Sequence, residues 1–150
     1  MSIVSDIEKL KKEKNAVILA HYYVDEDVQD VADYIGDSFY LSKVATKVSQ
    51  DRIIFAGVEF MGESAKILNP KKRVFMPDMN ADCPMAHMAD KDEILALREK
   101  YDDLAVVCYI NSTAELKKYS DVCVTSSNAV KIVKNLPNTV SYTHLTLPTT

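Results

Sequence analysis

Apolar runs in this sequence end in side chains that could do chemistry. AVILA (16–20) leads into His21, Tyr22 and Tyr23, LAVVC into Tyr109 and Asn111, and DVCVT into Ser126. Phenols and an imidazole can move protons, while amides and hydroxyls can hold carboxylates or phosphate. Ser38, directly after IGD, is placed to cap a helix over 38–49 while turning its hydroxyl and the first helical amides to an anion. Ser126 can do the same later in the chain. The blander alternative makes these serines ordinary caps and the rings covers for strand ends.

Cys83 is a different kind of candidate. It lies in MPDMNADCPMA (76–86), after a turn-like Pro-Asp-x-Asn stretch and between Pro77 and Pro84, which stiffen the loop. It reads either as an incidental thiol or as a metal ligand whose partners lie elsewhere. Cys108 and Cys123 fall inside apolar runs, where a small buried thiol packs well. Three cysteines with no CxxC pair make a disulfide framework a poor reading, and their spacings match no common zinc or ferredoxin pattern. A flavodoxin-like thiol redox domain is disfavoured for the same lack of a pair. Glu63, in FMGESAKIL, is left open between a site residue and a solvated or capping acid, since Phe60, Met61, Ile67 and Leu68 at helical spacing read as core. His87 and His144 are isolated and take no role. Three glycines and no GxGxxG after the first apolar run argue against a classical dinucleotide site.

The elements that must position these residues are legible. Continuous apolar runs at 16–20, 53–58, 73–76, 104–110 and 122–125 alternate with helical patterns, as strands buried on both faces of a parallel sheet do. Ser5 with Glu8, Asp90 with Glu93, and Ser112 with Glu115 have capping-box spacing. Ile7 and Leu10, and Ile94, Leu97 and Tyr101, recur at helical period and are expected to face the sheet. The class is α/β, built of parallel-sheet α/β/α units with right-handed crossovers, and ligands are expected beyond the carboxyl ends of the strands.

A chain of 150 residues, 47% apolar and 27% charged, can bury one good core. Its formal charge of -4, with scattered lysines and arginines, points away from nucleic acid. The absence of a long apolar run or a basic-then-apolar start points away from a membrane and toward the cytoplasm.

The order of elements repeats. An offset of 88 residues lays KLKKEKNAVILAHYY over LREKYDDLAVVCYIN, His21 over Tyr109, Tyr23 over Asn111, Ser38 over Ser126, and Lys43 over Lys131 in helices expected to match in length. This divides the chain into a first α/β unit (1–88), an incomplete second unit (89–138) and a tail (139–150) that lacks the charges and helix signals seen elsewhere. The tail reads as foreign or out of frame, against the alternative of an ordinary strand and frayed end. The sequence thus reads as truncated inside its second unit.

With these residues assembled, the chain resembles the amino-terminal part of the quinolinate synthase family. AHYYVDEDVQDVAD, IGDSFYLSKVA, FAGVEFMGESAKILNPKKRVFMPDMNADCPMA and VCYINSTAELKKYSDVCVTSSNAVKIV carry the resemblance over residues 15–136. It implies three similar α/β units around a pseudo-threefold axis, each giving one cysteine to a 4Fe-4S cluster that acts as a Lewis acid, with Cys83 as the first ligand and the others beyond the chain's last residue. It implies condensation of iminoaspartate with dihydroxyacetone phosphate to quinolinate in NAD biosynthesis. Tyr23 and Tyr109 match the family's catalytic tyrosines, and His21, Ser38, Asn111 and Ser126 resemble donors to the substrate's anionic groups. An enzyme delivering iminoaspartate is an implied partner. Position 22, here Tyr, takes no role. The chain as written is expected to be inactive; the competing reading is a stand-alone anion- or small-ligand-binding module.

Overall fold

The computed structural model describes residues 2–144. The chain divides into two compact units, Met1–Asp82 and Cys83–Thr150, so the segment 83–88, which the sequence reading assigns to the first unit, groups with the second.

The first unit runs α1 (Ile3–Glu13), β1 (Ala16–His21), α2 (Glu26–Asp30), β2 (Tyr34–Gly36), α3 (Ser38–Lys47), β3 (Arg52–Ala56), α4 (Glu59–Leu68) and β4 (Arg73–Phe75). Its four strands form a wholly parallel sheet in the order β2-β1-β3-β4. Alternate residues of a strand share a face, so Val17 and Leu19 on β1 lie with Ile53 and Phe55 on β3, all buried. Leu41, Val44 and Ala45 of α3 and Phe60, Met61 and Ala65 of α4 are the buried helical residues that cover the sheet. Ile67 and Leu68, expected in the core, are 54% and 52% exposed, because they close α4 on the turn facing away from the buried stripe. Asn15 joins α1 to β1 at φ 49°, a left-handed conformation that asparagine tolerates, and its side-chain amide donates to Asp51 at 2.8 Å.

The second unit opens with a 3-10 turn, Pro84–His87, and continues α5 (Lys91–Lys100), β5 (Leu104–Tyr109), α6 (Ala114–Lys118), β6 (Val122–Val124), α7 (Ala129–Val133) and β7 (Val140–His144). Its parallel sheet has the order β6-β5-β7. One face packs Leu104, Val106 and Cys108 with Ile94 of α5 and Leu116 of α6. On the other, Val107 and Val124 meet Ala129 of α7. This is the α/β/α layering that the sequence predicts.

The offset of 88 residues holds at the level of hydrogen-bonded register. Leu19 opposite Tyr34 becomes Val107 opposite Val122, and Ala16 opposite Arg52 becomes Leu104 opposite Val140. Val140–His144 thus form a strand that keeps with β5 the register that β3 keeps with β1. Residues 145–150 of the expected tail lie outside the described residues.

The helix starts differ from expectation in detail. Ser2, not Ser5, caps α1, accepting from the Ser5 amide. Asp90 caps α5 as expected, accepting from the Asp92 amide at 2.6 Å. Thr113, not Ser112, caps α6, accepting from Leu116. Glu115 is therefore free to pair with Lys91 at 3.1 Å instead of closing a capping box. The helices holding Lys43 and Lys131 do not match: α3 has 10 residues and α7 has 5.

Candidate functional site

In the first unit, β1 and β2 end level with each other, His21 opposite Gly36, and the Tyr22 amide continues the ladder by donating to the Gly36 carbonyl at 3.2 Å. This brings His21, Tyr22 and Tyr23 to the carboxyl edge beside the start of α3. The three rings form one cluster. His21 stacks on Tyr22 at 4.5 Å, and Tyr23 meets both edge-on, at 4.8 Å from His21 and 4.5 Å from Tyr22. The Tyr23 amide donates to His21 Nδ1 at 3.3 Å, so a neutral ring carries its proton on Nε2. Burial lowers the His21 pKa, and the nearby Asp37 carboxylate only partly opposes it. The imidazole is thus a neutral Nε2–H donor at pH 7. Interaction with the Tyr23 hydroxyl, ahead of slight desolvation and the Asp37 carboxylate, raises the pKa of the exposed Tyr22 phenol.

Ser38 does not cap α3. Asp37 does, its carboxylate accepting from the Tyr40 amide at 2.7 Å, and Ser38 is the first helical residue, half-buried. An aspartate preceding a serine is the stronger cap because its charge also meets the positive helix end. Gly36 sits under the Tyr40 ring, leaving no room for a Cβ there. Next to this edge a cleft of about 330 Å³ is lined by Tyr23, Asp25, Gly57, Pro77, Asp78 and others. The Asp78 carboxylate accepts from the Asn80 amide at 2.8 Å, so the Pro-Asp-x-Asn stretch is a closed turn.

The second unit repeats the arrangement with different residues. Tyr109 lies opposite Val124, and the Ile110 amide donates to the Val124 carbonyl at 2.9 Å, which brings Asn111 and Ser126 just beyond the two strand ends. Both Tyr109 and Asn111 are half-buried; Ser126 is exposed. Ser126 caps nothing. The turn 125–128 is closed by the Asn128 carboxamide oxygen, which accepts from the Thr125 amide at 2.7 Å, and by a 2.9 Å contact between the Thr125 and Ser127 hydroxyls. Its helix begins only at Ala129.

Cys83, half-buried, precedes the 3-10 turn in extended conformation, and its carbonyl accepts from the Ala86 amide at 2.8 Å. Among the described residues no three His, Cys, Asp or Glu side chains gather as a metal site. Cys108 and Cys123 do not join Cys83; they face one another across β5 and β6. Cys123 is exposed rather than buried as expected, because β6 is an edge strand. The donor set of this chain therefore fits one corner of an iron-sulfur cluster and not a complete one.

Sequence reasoning missed Tyr22 and Asp37. The signal for Asp37 was present, since Asp directly before a helical run is a cap. Tyr22 carried none, because ring stacking at a strand end leaves no spacing pattern.

No helix among the described residues is long and apolar enough to cross a membrane. The family model for the quinolinate synthetase A protein matches residues 5–147, a range that includes β7. Quinolinate synthase of Fusobacterium nucleatum is 69% identical over 130 residues, covering 87% of this chain and 44% of that protein. That of Clostridium novyi is 62% identical over 130 residues, 87% of this chain and 43% of the relative. That of Caldicellulosiruptor saccharolyticus is 54% identical over 136 residues, 91% and 45%. The chain therefore spans under half the length of these curated relatives. Sharing their sequence across nearly all of its own described length, on a parallel α/β framework, it belongs to the quinolinate synthetase A protein family.

Proposed function

We propose that this chain forms part of a quinolinate synthase of NAD biosynthesis, working in the cytoplasm and condensing iminoaspartate with dihydroxyacetone phosphate, with loss of phosphate and water and closure of a pyridine ring. The observation that carries the proposal beyond family membership is the pair of strand edges in equivalent register, one presenting His21, Tyr23 and Ser38, the other Tyr109, Asn111 and Ser126. Such a reaction needs donors for several anionic groups and proton carriers for the isomerisation and dehydration steps. His21 supplies a neutral Nε2–H that binds a carboxylate or phosphate without itself losing a proton. Ser38, Asn111 and Ser126 supply further uncharged donors. Tyr23 and Tyr109 donate or relay protons through their hydroxyls, and Tyr22 packs edge-on against the first of them.

Cys83 serves as one of three thiolate ligands to a 4Fe-4S cluster, the other two being supplied from outside this chain. When bound, the cluster supplies an open iron that acts as a Lewis acid toward substrate. A single thiolate cannot hold it, so the 150-residue chain by itself is inactive. The enzyme that generates iminoaspartate is the natural partner, since an imine of this kind hydrolyses in water.

The test is a chimera in which residues 5–144 replace the matching segment of the Fusobacterium nucleatum enzyme. Reconstituted anaerobically, it should make quinolinate, and Cys83→Ser should remove both cluster absorbance and product. Retention of both by that variant would overturn the proposal. A stand-alone binding module would instead keep its ligand when Cys83 is replaced. Stable stoichiometric cluster absorbance from the isolated chain would point to Cys108 and Cys123 as ligands.

A further inference from the structure

Cys108 and Cys123 are separated in sequence and share no motif, yet parallel pairing sets them directly opposite one another on adjacent strands. Residues paired this way point to the same face, and strands lie about 4.8 Å apart, within the Cα separation that a disulfide spans. The two thiols are close enough for each to shift the other's pKa, and the Cys108 S–H donates to the Tyr109 carbonyl at 3.4 Å. One of them, Cys123, is exposed and can meet a solute; the other, at 3% exposure, cannot. Close enough to the buried sulfur to lower its pKa is Ser112, whose fully buried hydroxyl has no hydrogen-bond partner among the described residues. An unpaired buried donor is costly, and a thiolate would satisfy it.

The first unit supplies a control within the same molecule. The positions equivalent to Cys108 and Cys123 hold Ala20 opposite Ile35, so the fold accepts an ordinary apolar pair there.

We propose that Cys108 and Cys123 form a reversible dithiol–disulfide couple that takes hydrogen peroxide as its two-electron oxidant and staples β5 to β6 immediately below Tyr109. This site does not rest on the function proposed above. The mutual interaction of the thiols lowers the Cys108 pKa to about 6 against the opposing effect of burial, helped by Ser112, Ser120 and Lys117, and raises that of Cys123. The pair therefore shares one proton at neutral pH. The proton rests mainly on Cys123; its transfer to Cys108 frees the exposed Cys123 thiolate, which attacks a peroxide oxygen, so that the O–O bond breaks and hydroxide leaves and is protonated to water. Cys123 is now a sulfenic acid. Loss of the proton from Cys108 frees its thiolate to attack the Cys123 sulfur; the S–O bond breaks, the S–S bond forms, and a second hydroxide leaves as water. Two thiols are oxidised by two electrons and one peroxide is reduced to water.

The test is peroxide treatment of the full reduced chain, followed by non-reducing peptide mapping and thiol titration. The expected result is a linked Cys108–Cys123 peptide pair lighter by two hydrogen atoms, a fall from three free thiols to one, and full reversal by dithiothreitol. Cys83→Ser should leave the linkage intact. Cys108→Ser should abolish it and leave Cys123 as sulfenic or higher acid. The double replacement Cys108→Ala with Cys123→Ile copies the pair in the first unit and guards against a folding artefact; it should keep its circular dichroism and form no intrachain bond. A bond that includes Cys83, or oxidation of Cys123 to sulfinic acid in the wild-type chain with no bond formed, overturns the proposal.

Discussion

The two units carry one backbone plan with different contents, and the difference separates what the fold requires from what chemistry requires. In both, an aspartate after a short helix locks the first strand: the Ile18 amide donates to Asp33 at 2.8 Å, and the Val106 amide to Asp121 at 2.7 Å. In both, a cation from the preceding helix completes the lock, Lys11 on Asp33 at 3.0 Å and Arg98 on Asp121 at 2.8 Å. Even the junction into the third strand recurs with its polarity reversed. Asn15 donates to Asp51 in the first unit, while in the second the Asp103 carboxylate accepts from Asn138 and from the Thr139 amide and hydroxyl. These repeated contacts belong to the framework. What does not repeat is the strand tip, a His-Tyr-Tyr ring cluster in one and Tyr109 with Asn111 in the other, and the dithiol found only in the second. The leading helices also differ: α5 buries Ile94, whereas α1 buries nothing, with Ile7 half-buried and Leu10 exposed over an apolar groove shared with Ile18, Ile54 and Phe75.

The comparison is open to direct attack. The largest effects are expected at the tips. In the chimera, Tyr23→Phe and Tyr109→Phe should each lower turnover by about 10² to 10⁴-fold with little change in stability, as removal of a proton carrier does. Equal, small losses in both would mean the rings merely cover strand ends. The aspartate locks come next. Asp33→Ala and Asp121→Ala each strand a backbone amide and a cation, which predicts losses of about 1–3 kcal/mol in urea unfolding. Asp33 should cost more, because Lys11 is 11% exposed and Arg98 34%. Removal of the caps Asp37 and Thr113 by alanine should cost about 1 kcal/mol each at most, less at Thr113, whose bond is longer at 3.3 Å than the 2.7 Å at Asp37.

The smallest effects are titrations. Hydrogen bonds from Thr139, with a smaller one from the Asn138 amide, lower the Asp103 pKa below the ordinary 3.8 against the opposing effect of desolvation. Its contribution to stability is present above that value and is lost as pH falls through the lowered one, so Asp103→Asn should flatten the acid limb of the stability curve of the second unit. His21 has the opposite charge logic. Its folded pKa lies below the ordinary 6.5, so protonation opposes the folded state and stability declines as pH falls from there through the folded value. Asp37→Asn removes the one opposing charge and should move the imidazole midpoint lower still, read by proton NMR.

Much of this was legible in the chain itself. The apolar runs become β1, β3, β4, β5 and β6 within a residue or two, and the 88-residue offset survives as identical strand register. The short elements α2 and β2 escaped notice, and α6 showed only its start, because five- and three-residue segments hold too few positions for a periodicity to appear. Ser38 and Ser126 were misassigned as caps for a related reason. A serine near a helix start has several neighbours able to do the same work: Asp37 caps α3 in place of Ser38, while Asn128 uses its carboxamide on the Thr125 amide and α7 has no side-chain cap.

The sequence by itself determined the alternation of strand and helix, the repeat, and the position of polar groups at strand ends, since these depend on local order and on which side chains water excludes. Only the tertiary structure decided which distant side chains meet. Cys108 lies opposite Cys123 and Asp103 holds Thr139 because parallel strands are brought into register by crossovers whose lengths the side chains concerned do not encode. Proximity across a sheet is a property of the ladder, and no reading along the chain contains it.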